Sequence, residues 1–328
     1  MNILVTGGAG FIGSNFIRHW LKNYPKDFLV NLDALTYAGH LENTADFQNN
    51  PNYLFCQGDI CDSSLVEKII KEKAIDLIVH FAAESHVDRS IDSDQVFIMS
   101  NVEGTRVLLE AAVRSPRAIR FHHVSTDEVF GALSYDDPPF NEETPYAPRS
   151  SYSASKAASD HLVRAYIHTH GLSATISNCG NNYGPYQLPE KLIPRLITRA
   201  LSNQSLPVYG NGENLRDWIH VNDHIKGLEA IIMKGRAGET YCLGGGRQFS
   251  NLEVAKAIAE AVGRTEEALE FVKDRAGHDF RYAIDYTKAT RELDWSPKID
   301  FTNGLKETVD WYKENEQWLK IVSKEITI

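Results

Sequence analysis

Short apolar runs alternate with longer amphipathic stretches through the first half of the chain. The runs that predict strands are 3–5, 28–32, 53–55, 77–81, 121–124 and 174–177. The stretches with helical periodicity between them are about 12–23, 64–73, 101–114 and 151–169. Near-continuous apolar strands separated by helices are typical of a parallel sheet that is covered on both faces. The pattern predicts an α/β fold with a Rossmann-type, doubly wound parallel sheet.

The pattern changes after about residue 178. Residues 181–186 are rich in turn-forming types, and we predict a loop there. Short strands, Gly-rich turns and two further helices are predicted beyond it, the helices at 252–262 and 304–320. We therefore expect a first domain at 1–178 and a smaller mixed α/β domain at 179–328. Residues 217–233 are expected to pack back onto the first domain.

Charge and cysteine content narrow the class of protein. The 328 residues include 44 Asp and Glu against 34 Lys and Arg, a formal net charge of −10. This balance argues against binding to nucleic acid, so an anionic ligand would be held by a few local cations. No apolar run approaches the ~20 residues of a membrane span, and a signal-peptide pattern is missing, so we expect a cytoplasmic protein without a membrane partner. The four cysteines show neither paired nor metal-binding spacing, which predicts free thiols and no metal site: Cys56, Cys61, Cys179 and Cys242.

A glycine-rich turn follows the first predicted strand and opens the first predicted helix. Gly7, Gly10 and Gly13 give a G-x-x-G-x-x-G spacing. Glycines allow a tight turn and let a pyrophosphate approach the amino terminus of the helix, where N–H groups and the dipole favour anions. A purely structural turn can have the same composition, but the order of strand, turn and helix favours a dinucleotide site.

The ends of the next strands fit the same cofactor. Asp33 ends the second strand, 20 positions beyond Gly13, where a carboxylate binds ribose hydroxyls and repels a 2′-phosphate; NAD is thus favoured over NADP. Asp59 and Ile60 follow the third strand and suit the adenine edge. Alternatively, Asp59 caps the helix that starts near residue 63. Small side chains follow the fourth strand, where the cofactor backbone would pass: Ala82, Ala83 and Ser85.

Two segments carry the candidate chemistry, Ser-Thr-Asp-Glu-Val-Phe-Gly at 125–131 and Tyr-Ser-Ala-Ser-Lys at 152–156. Tyr152 and Lys156 lie one helical turn apart, and a nearby ammonium stabilises a phenolate, so Tyr152 can act as a base towards a sugar hydroxyl. A simple dehydrogenase has no use for the adjacent Asp127 and Glu128. An enzyme that oxidises a sugar, eliminates water and returns the hydride needs both an acid and a base. The pair therefore favours an internal redox dehydration over an acidic capping turn.

With these residues the chain resembles the extended short-chain dehydrogenases/reductases, and within them the dTDP-glucose 4,6-dehydratase family. The matching segments extend over nearly the whole chain and are 35–39, 82–90, 125–131, 152–156, 181–194, 216–218 and 274–279. Two departures are visible: Phe130 stands where the family commonly has Tyr, and Ala276 where it commonly has Pro. They weaken the assignment to a sub-family more than the mechanism.

The resemblance implies a reaction in which NAD takes a hydride from C4 of the glucose and returns it to C6. Tyr152 would take the 4-hydroxyl proton, with Thr126 hydrogen-bonded to the same oxygen. Glu128 would take the C5 proton while Asp127 protonates the leaving C6 hydroxyl. This requires Asp127 to be protonated and Glu128 ionised, so their environments must differ. The resemblance also implies a tightly bound NAD, with Lys156 in the catalytic set, and a homodimer formed through helices such as 101–114 and 151–169.

The predicted binding residues fall into two sets. The cofactor set is Gly7, Gly10, Phe11, Ile12, Gly13, Asp33, Ala34, Leu35, Thr36, Asp59, Ile60, Phe81, Ala82, Ala83, Ser85, Ser100, Tyr152, Lys156 and Asn182. The nucleotide-sugar set implied by the family pattern is Ser85, Thr126, Asn181, Lys191, Leu192, Pro207, Val208, Tyr209, Arg216, Asn251, Asp274, Arg275 and His278. Arg216, Arg275 and Lys191 are candidates for the diphosphate, because Arg suits bidentate contacts with phosphate. Each of them could instead be a surface or capping residue.

Two other functions stay open at this point. A sugar-nucleotide 4-epimerase or decarboxylase shares the glycine-rich turn and the Tyr-x-x-x-Lys spacing, but typically lacks the Asp–Glu pair. A non-enzymatic NAD-binding regulator is disfavoured by the intact set of Thr126, Tyr152 and Lys156. The sequence does not separate dTDP-glucose from UDP-glucose, since one methyl group is worth only ~1–3 kcal/mol in a fitted pocket.

Overall fold

The computed structural model describes residues 1–86, 94–274 and 278–324. The strands are β1 (Asn2–Thr6), β2 (Phe28–Asp33), β3 (Tyr53–Gln57), β4 (Leu77–His80), β5 (Arg120–Thr126), β6 (Ala174–Cys179), β7 (Asn181–Tyr183), β8 (Leu206–Tyr209), β9 (Leu215–His220), β10 (Thr240–Leu243), β11 (Gln248–Ser250) and β12 (Leu269–Val272). The helices are α1 (Phe11–Asn23), α2 (Ser63–Glu72), α3 (Gly104–Arg114), α4 (Ser151–His170), α5 (Leu192–Leu201), α6 (Val221–Lys234), α7 (Asn251–Ala261), α8 (Thr287–Leu293), α9 (Phe301–Glu314) and α10 (Glu316–Val322). Short 3-10 turns lie at Leu41–Thr44, Asp127–Phe130 and Glu266–Ala268.

A seven-stranded sheet has the order β10-β6-β5-β4-β1-β2-β3. β1 pairs in parallel with β2 on one side and with β4 on the other, and the β2–β3 and β4–β5 pairs are parallel as well. The direction of strand succession therefore reverses between β1 and β4, which is the topological switch point of a doubly wound sheet. The predicted Rossmann-type fold is confirmed.

Burial explains why these strands are parallel and central. Ile3, Leu4 and Val5 of β1 are fully buried, and so are the side chains of β4. Helix α1 buries one face, with Phe16, Ile17, Trp20 and Leu21, while its other positions reach the surface. Strands that bury both faces are apolar at nearly every position, which is the pattern read from the sequence.

Internal contacts divide the chain into two compact units. Unit 1 consists of Met1–Gly131, Thr144–Asn178 and Leu228–Tyr241, and unit 2 of Ala132–Glu143, Cys179–Gly227 and Cys242–Ile328. The division inside the segment 217–233 thus falls between Gly227 and Leu228. Unit 2 contains a three-stranded sheet in the order β11-β9-β7 and the parallel pair β8–β12.

The structure corrects three local predictions. Asn181–Tyr183 forms strand β7 rather than a loop, because it pairs in parallel with Trp218–His220 of β9. The predicted helix 304–320 is two helices, α9 and α10, since Asn315 leaves the helical conformation at φ −114° and ψ 38°. The predicted helix 101–114 starts with a π-helical segment, Ile98–Glu103, before α3.

The remaining features are the length and polarity of the helices and the state of the cysteines. Within the described ranges, no helix is both long and apolar enough to cross a bilayer. Cys56, Cys61, Cys179 and Cys242 are all free thiols, as predicted.

Asp217 joins three segments of unit 2 through backbone hydrogen bonds. Its Oδ1 accepts from the N–H of Gly245 at 2.7 Å, and its Oδ2 accepts from the N–H of Ile284 at 3.1 Å. The side chain is 2% exposed. Burial raises the pKa of Asp217 to about 6, although the backbone donors oppose the shift.

The change Asp217→Asn should remove a pH-dependent part of the stability. The folded-state pKa lies above the ordinary value of 3.8, so this carboxyl stabilises the fold fully below about pH 4, and that contribution is lost as the pH rises through about 6. The free energy of unfolding of the wild type, relative to that of D217N, should therefore fall between pH 4 and pH 7, by up to about 3 kcal/mol. Urea unfolding at a series of pH values measures it; parallel curves for the two proteins would contradict it.

Candidate active site

The glycine-rich turn is shaped by close backbone packing at Gly7 and Gly13, two of the three glycines of the G-x-x-G-x-x-G spacing. Gly7 has φ +71°, and a Cβ there would lie 2.6 Å from the backbone nitrogen of Ala82. A Cβ at Gly13 would overlap the carbonyl oxygen of Gly7. A Cβ at Gly10 would lie 3.3 Å from the same carbonyl oxygen, a close contact without the overlap found at Gly13. Gly10 is also the N-cap of α1 and provides no side-chain acceptor for the first N–H groups of the helix.

Asp33 ties the end of β2 to this turn. Its Oδ2 accepts from the N–H of Ala9 and its Oδ1 from the N–H of Leu35, both at 2.8 Å. The side chain is buried, which raises the pKa of Asp33 above its usual value, while the two N–H donors oppose that shift. Leu35 takes the left-handed conformation at φ +53° and turns the chain away from the strand. Each carboxylate oxygen keeps a second lone pair that can accept from a ribose hydroxyl.

The hydrogen bonds in the loop after β3 decide whether Asp59 caps helix α2. The Asp59 side chain accepts from the N–H of Cys61 at 2.8 Å and closes a turn. Helix α2 is instead capped by Asp62, which accepts from the N–H of Leu65 at 3.0 Å. Asp59 is exposed and Ile60 is buried. Asp59 therefore does not cap α2, and its role towards adenine stays a prediction.

The loop after β4 is held by a residue that the sequence analysis missed. Asn101, in the π-helical segment, accepts from the N–H of Glu84 at 2.9 Å and donates to the Glu84 carbonyl at 3.0 Å. It also donates to Ser155 Oγ at 2.8 Å, and Ser155 Oγ donates to the carbonyl of Tyr152 at 2.7 Å. Asn101 thus links the segment that carries Ser85 to the helix that carries Tyr152. An amide on the buried face of an otherwise amphipathic stretch was the only signal available for it.

The two carboxylates lie directly beyond β5. Thr126 is the N-cap of the 3-10 turn that contains them, and its Oγ1 accepts from the N–H of Glu128 at 3.3 Å. The same hydroxyl donates to Asp127 Oδ1 at 3.3 Å. Asp127 is 2% exposed, whereas Glu128 is half-buried. Gly131 ends the turn with φ +91°, where a Cβ would lie 2.6 Å from the carbonyl oxygen of Ala147.

Helix α4 presents Tyr152 and Lys156 from its first two turns. A capping box starts it: Ser150 Oγ accepts from the N–H of Ser153 at 3.1 Å, and Ser153 Oγ accepts from the N–H of Ser150 at 3.0 Å. Tyr152 is 9% exposed and Lys156 is 4% exposed. The Lys156 ammonium donates to the carbonyl of Val124 in β5 at 2.9 Å. All five predicted catalytic residues therefore belong to unit 1.

The remaining predicted cofactor residues are distributed as follows. Phe11 and Ile12 open α1, Phe81, Ala82, Ala83 and Ser85 follow β4, Ala34 and Thr36 follow β2 and are exposed, and Ser100 lies in the π-helical segment. The Tyr37 hydroxyl lies 3.2 Å from Ser85 Oγ. Asn182 belongs to unit 2. The matched residues 87–90, Arg275 and Ala276 lie outside the described residues.

Asn182 is oriented by a buried histidine that the sequence analysis did not assign. His224 Nδ1 lies 2.8 Å from Asn182 Oδ1. Burial lowers the pKa of His224 to about 3, so the ring is neutral and its Nδ1–H donates to the amide oxygen. Asn182 Nδ2 donates to the carbonyl of Gly180 at 3.1 Å. The amide is therefore fixed from both ends.

Two predicted substrate residues carry buried acceptors without partners. Asn181 Oδ1 and Asn251 Oδ1 are both inaccessible, and no described residue donates to either atom. Asn251 opens α7, where Ser250 and Glu253 form a capping box. Buried amide oxygens usually have a donor, so these two are candidates for contacts with a ligand.

Other predicted substrate residues come close together within unit 2. Pro207, Val208 and Tyr209 form most of β8, and Gly210 follows at φ +57°. A Cβ at Gly210 would lie 3.1 Å from the Asp274 carboxylate, and Asp274 Oδ1 lies 2.7 Å from His278 Nδ1. Lys191 is the N-cap of α5 and Leu192 its first residue.

Arg216 is engaged with backbone carbonyls. Its guanidinium donates to the carbonyls of Leu215 and Asp279 at 2.8 Å each, and it lies 4.5 Å from the centre of the Tyr282 ring. The side chain is 5% exposed. The structure thus places Arg216 against the segment that contains His278, and its contact with a diphosphate stays a prediction.

Comparisons with known proteins agree on one family. Residues 4–308 match the model of the GDP-mannose 4,6 dehydratase family. The dTDP-glucose 4,6-dehydratase of Neisseria meningitidis serogroup B is 49% identical, with 96% of this chain and 94% of the relative covered. The crystal structure of dTDP-glucose 4,6-dehydratase from Bacillus anthracis in complex with NAD is 48% identical, with a TM-score of 0.92 over 98% of this chain and 99% of that one. The enzyme of the same name from Streptomyces venezuelae, with NAD and TYD bound, is 46% identical, with a TM-score of 0.94 over 98% and 100%.

These matches cover nearly the whole chain and include the glycine-rich turn, the Thr126–Glu128 segment and the Tyr152–Lys156 segment. The chain belongs to the dTDP-glucose 4,6-dehydratase family of extended short-chain dehydrogenases/reductases.

Proposed function

We propose that this protein is a hydro-lyase that converts dTDP-glucose to dTDP-4-keto-6-deoxyglucose with NAD as a recycled cofactor. One observation supports it above the others. Asp127 and Glu128 directly follow Thr126 at the end of β5, in the same compact unit as Tyr152 and Lys156. A 4-epimerase or decarboxylase needs the tyrosine and lysine but not the carboxylate pair.

The residues of unit 1 fit NAD. The amino terminus of α1, which has no side-chain cap, suits a pyrophosphate. Asp33 keeps acceptor capacity for ribose hydroxyls and opposes a 2′-phosphate. NAD, when bound, takes a hydride from C4 of the sugar and later returns it to C6. Because it is regenerated in each turnover, we infer that it stays tightly bound.

Tyr152 and Thr126 act on the 4-hydroxyl in this proposal. Tyr152 takes the hydroxyl proton, and Thr126 hydrogen-bonds the same oxygen. Lys156, one helical turn from Tyr152 and nearly inaccessible, stabilises the phenolate by its charge. The Asn101–Ser155–Tyr152 chain of hydrogen bonds fixes the start of α4 relative to the loop after β4.

Asp127 and Glu128 divide the acid and base roles by their environments. Asp127 is 2% exposed, and burial favours the neutral carboxyl that can protonate the leaving C6 hydroxyl. Glu128 is half-buried, and retained contact with water favours the carboxylate that takes the C5 proton. The C5 proton is acidic once C4 is a ketone, and C5 takes a proton back when the hydride returns to C6.

Unit 2 provides the predicted nucleotide contacts. The unpartnered amide oxygens of Asn181 and Asn251 support a role for these side chains as acceptors from the ligand. Lys191, at the start of α5, offers a cation to the diphosphate. We infer that the first domain, predicted at 1–178, binds NAD, and that the domain at 179–328 binds the nucleotide. The homodimer and the cytoplasmic location stay predictions from the sequence.

The first test uses purified protein without added NAD. Incubation with dTDP-glucose should yield a 4-keto product that absorbs after alkali treatment, and UDP-glucose should react more slowly by roughly 10–200-fold, the value of one methyl group in a fitted pocket. No product from either sugar, even with added NAD, would contradict the proposed function. Equal rates would make the enzyme a general nucleotide-glucose dehydratase.

The variant Glu128→Gln separates oxidation from elimination. It should still form NADH from dTDP-glucose, because Tyr152 and Thr126 are intact, but its rate of 4-keto-6-deoxy product formation should fall by about 10²–10⁴-fold. Single-turnover absorbance of NADH and product assay measure the two steps. Glu143→Gln, the same change at an exposed position, serves as the control. Loss of NADH formation in E128Q alone would place Glu128 in the oxidation step.

A pair of glycine variants tests the cofactor turn. Gly13→Ala should lower the stability of the fold by several kcal/mol, because its Cβ overlaps the Gly7 carbonyl. Gly10→Ala should cost less stability than Gly13→Ala, because its Cβ would lie 3.3 Å from that carbonyl without overlap, yet lose most of the bound NAD. Thermal unfolding and the NAD released on denaturation, per mole of chain, measure both effects. Full NAD content in G10A would refute the placement of the pyrophosphate.

A further inference from the structure

In unit 1, two fully buried polar side chains, His123 and Asp160, follow Lys156 in a series of short distances. The Lys156 ammonium lies 3.4 Å from His123 Nε2. The same ring nitrogen lies 3.2 Å from Asp160 Oδ1, and both His123 and Asp160 are 0% exposed. An ammonium, an imidazole and a carboxylate therefore follow one another at close range, and the imidazole and the carboxylate have no access to water.

His123 does not provide the charge that offsets the buried ammonium. Burial, and then the charge of Lys156, lower the pKa of His123 to about 4. The ring is neutral at pH 7, and its Nδ1 has no hydrogen-bond partner among the described residues. The Lys156 ammonium donates to the carbonyl of Val124 and lies within hydrogen-bond distance of His123 Nε2, which can accept in a neutral ring. Asp160 Oδ1, 3.2 Å from the same nitrogen, has no hydrogen-bond partner among the described residues.

Asp160 is held in its ionised form. Burial alone would raise its pKa, but His123, Lys156 and Tyr146 together keep the pKa of Asp160 below its ordinary value. Its Oδ2 accepts from Ser125 Oγ at 2.9 Å, from the Tyr146 hydroxyl at 2.7 Å and from Asn178 Nδ2 at 3.4 Å. Several donors to one oxygen stabilise the carboxylate over the neutral acid.

The other titratable groups near His123 and Asp160 lie on β4, on α4 and in the turn after β5. On β4, His80 is neutral, since burial holds its pKa well below the usual value, and its ring centre lies 5.2 Å from that of His123. On α4, Arg164 donates to the Tyr146 hydroxyl at 2.8 Å, and Tyr152 lies one turn before Lys156. The turn after β5 carries Asp127 and Glu128. Asp160 lies 3.2 Å from His123, the neighbour of Lys156.

We propose that Asp160 is a positioning residue that keeps Lys156 in its ammonium form, with His123 as the neutral spacer between the two charges. A buried ammonium is costly unless an anion accompanies it, and removal of one partner leaves an uncompensated charge. The proposal rests on the proposed roles of Tyr152 and Lys156, because Asp160 affects the reaction only through the lysine charge.

The variant Asp160→Asn tests it, since the amide keeps the shape of the side chain and removes its charge. A neutral Lys156 stabilises the Tyr152 phenolate less, so the acid limb of kcat/KM for NADH formation should move to higher pH, by about one unit. The direct effect of the lost negative charge on Tyr152 has the opposite sign. The direction of the shift therefore distinguishes an effect of Asp160 through Lys156 from a direct effect of its charge on Tyr152. An acid limb that stays in place or moves to lower pH in D160N overturns the proposal.

Ser159→Ala is the matched control. Ser159 is also fully buried on α4, and among the described residues its hydroxyl donates only to helix carbonyls, those of Ser155 at 3.2 Å and Lys156 at 2.8 Å. It should leave the acid limb in place. A shift in S159A equal to that in D160N would mean that any buried change in α4 moves the limb, and would overturn the proposal.

A double variant gives a readout that needs no activity. In Lys156→Met the carboxylate of Asp160 has lost its partner, so K156M/D160N should unfold at a higher temperature than the sum of the two single changes predicts. If D160N alone fails to fold, folding of the double variant supports the charge pair, and failure of both assigns Asp160 a purely structural role. Additive effects on unfolding overturn the proposal. A wild type without NADH formation would refute the proposed function, while this unfolding cycle would still report on the pair.

Discussion

The carboxyl ends of parallel strands share one edge of a sheet, and the candidate active site of unit 1 depends on that constraint. β1 ends in the glycine-rich turn, β2 in Asp33, β4 in the loop held by Asn101, and β5 in Thr126. The backbone pairing of β1 with β2 and with β4 sets the distances between these strand ends. Burial of both sheet faces stabilises these registers. The apolar residues within the strands therefore fix the positions of the polar residues at the strand ends.

Three buried aspartates hold segments outside the large sheet in place by accepting hydrogen bonds from backbone N–H groups. Asp33 accepts from two backbone N–H groups near the turn, Asp217 accepts from the N–H groups of Gly245 and Ile284, and Asp223 accepts from those of Lys298 at 2.7 Å and Ile299 at 2.6 Å. Each joins segments that are irregular and separated in sequence. A short carboxylate satisfies several backbone donors at once, which lets loops pack inside without unpaired N–H groups.

The sequence predicted the elements with strong periodicity and the residues with a fixed local geometry. The strands of unit 1, the free thiols and the order of turn and helix after β1 follow from short windows of sequence. β7 was missed because its pairing partner, Trp218–His220, lies some way along the chain, and the break at Asn315 was missed because the helical periodicity continues across it. Asn101, His224 and Asp160 were missed for a related reason: each acts through a contact with another element, and no spacing rule encodes it.

Neither compact unit is a continuous stretch of chain, and this affects how the protein can be made. The chain passes between the units at residues 131, 143, 178, 227 and 241, and the sheet lacks its edge strand β10 until Leu243 has been synthesised. Helix α6 and β10 must therefore leave the ribosome before the seven-stranded sheet is complete. A growing chain that stops near residue 178 exposes an unpaired edge at β6, so completion of the sheet during synthesis has to wait for about the next fifth of the chain, up to Leu243.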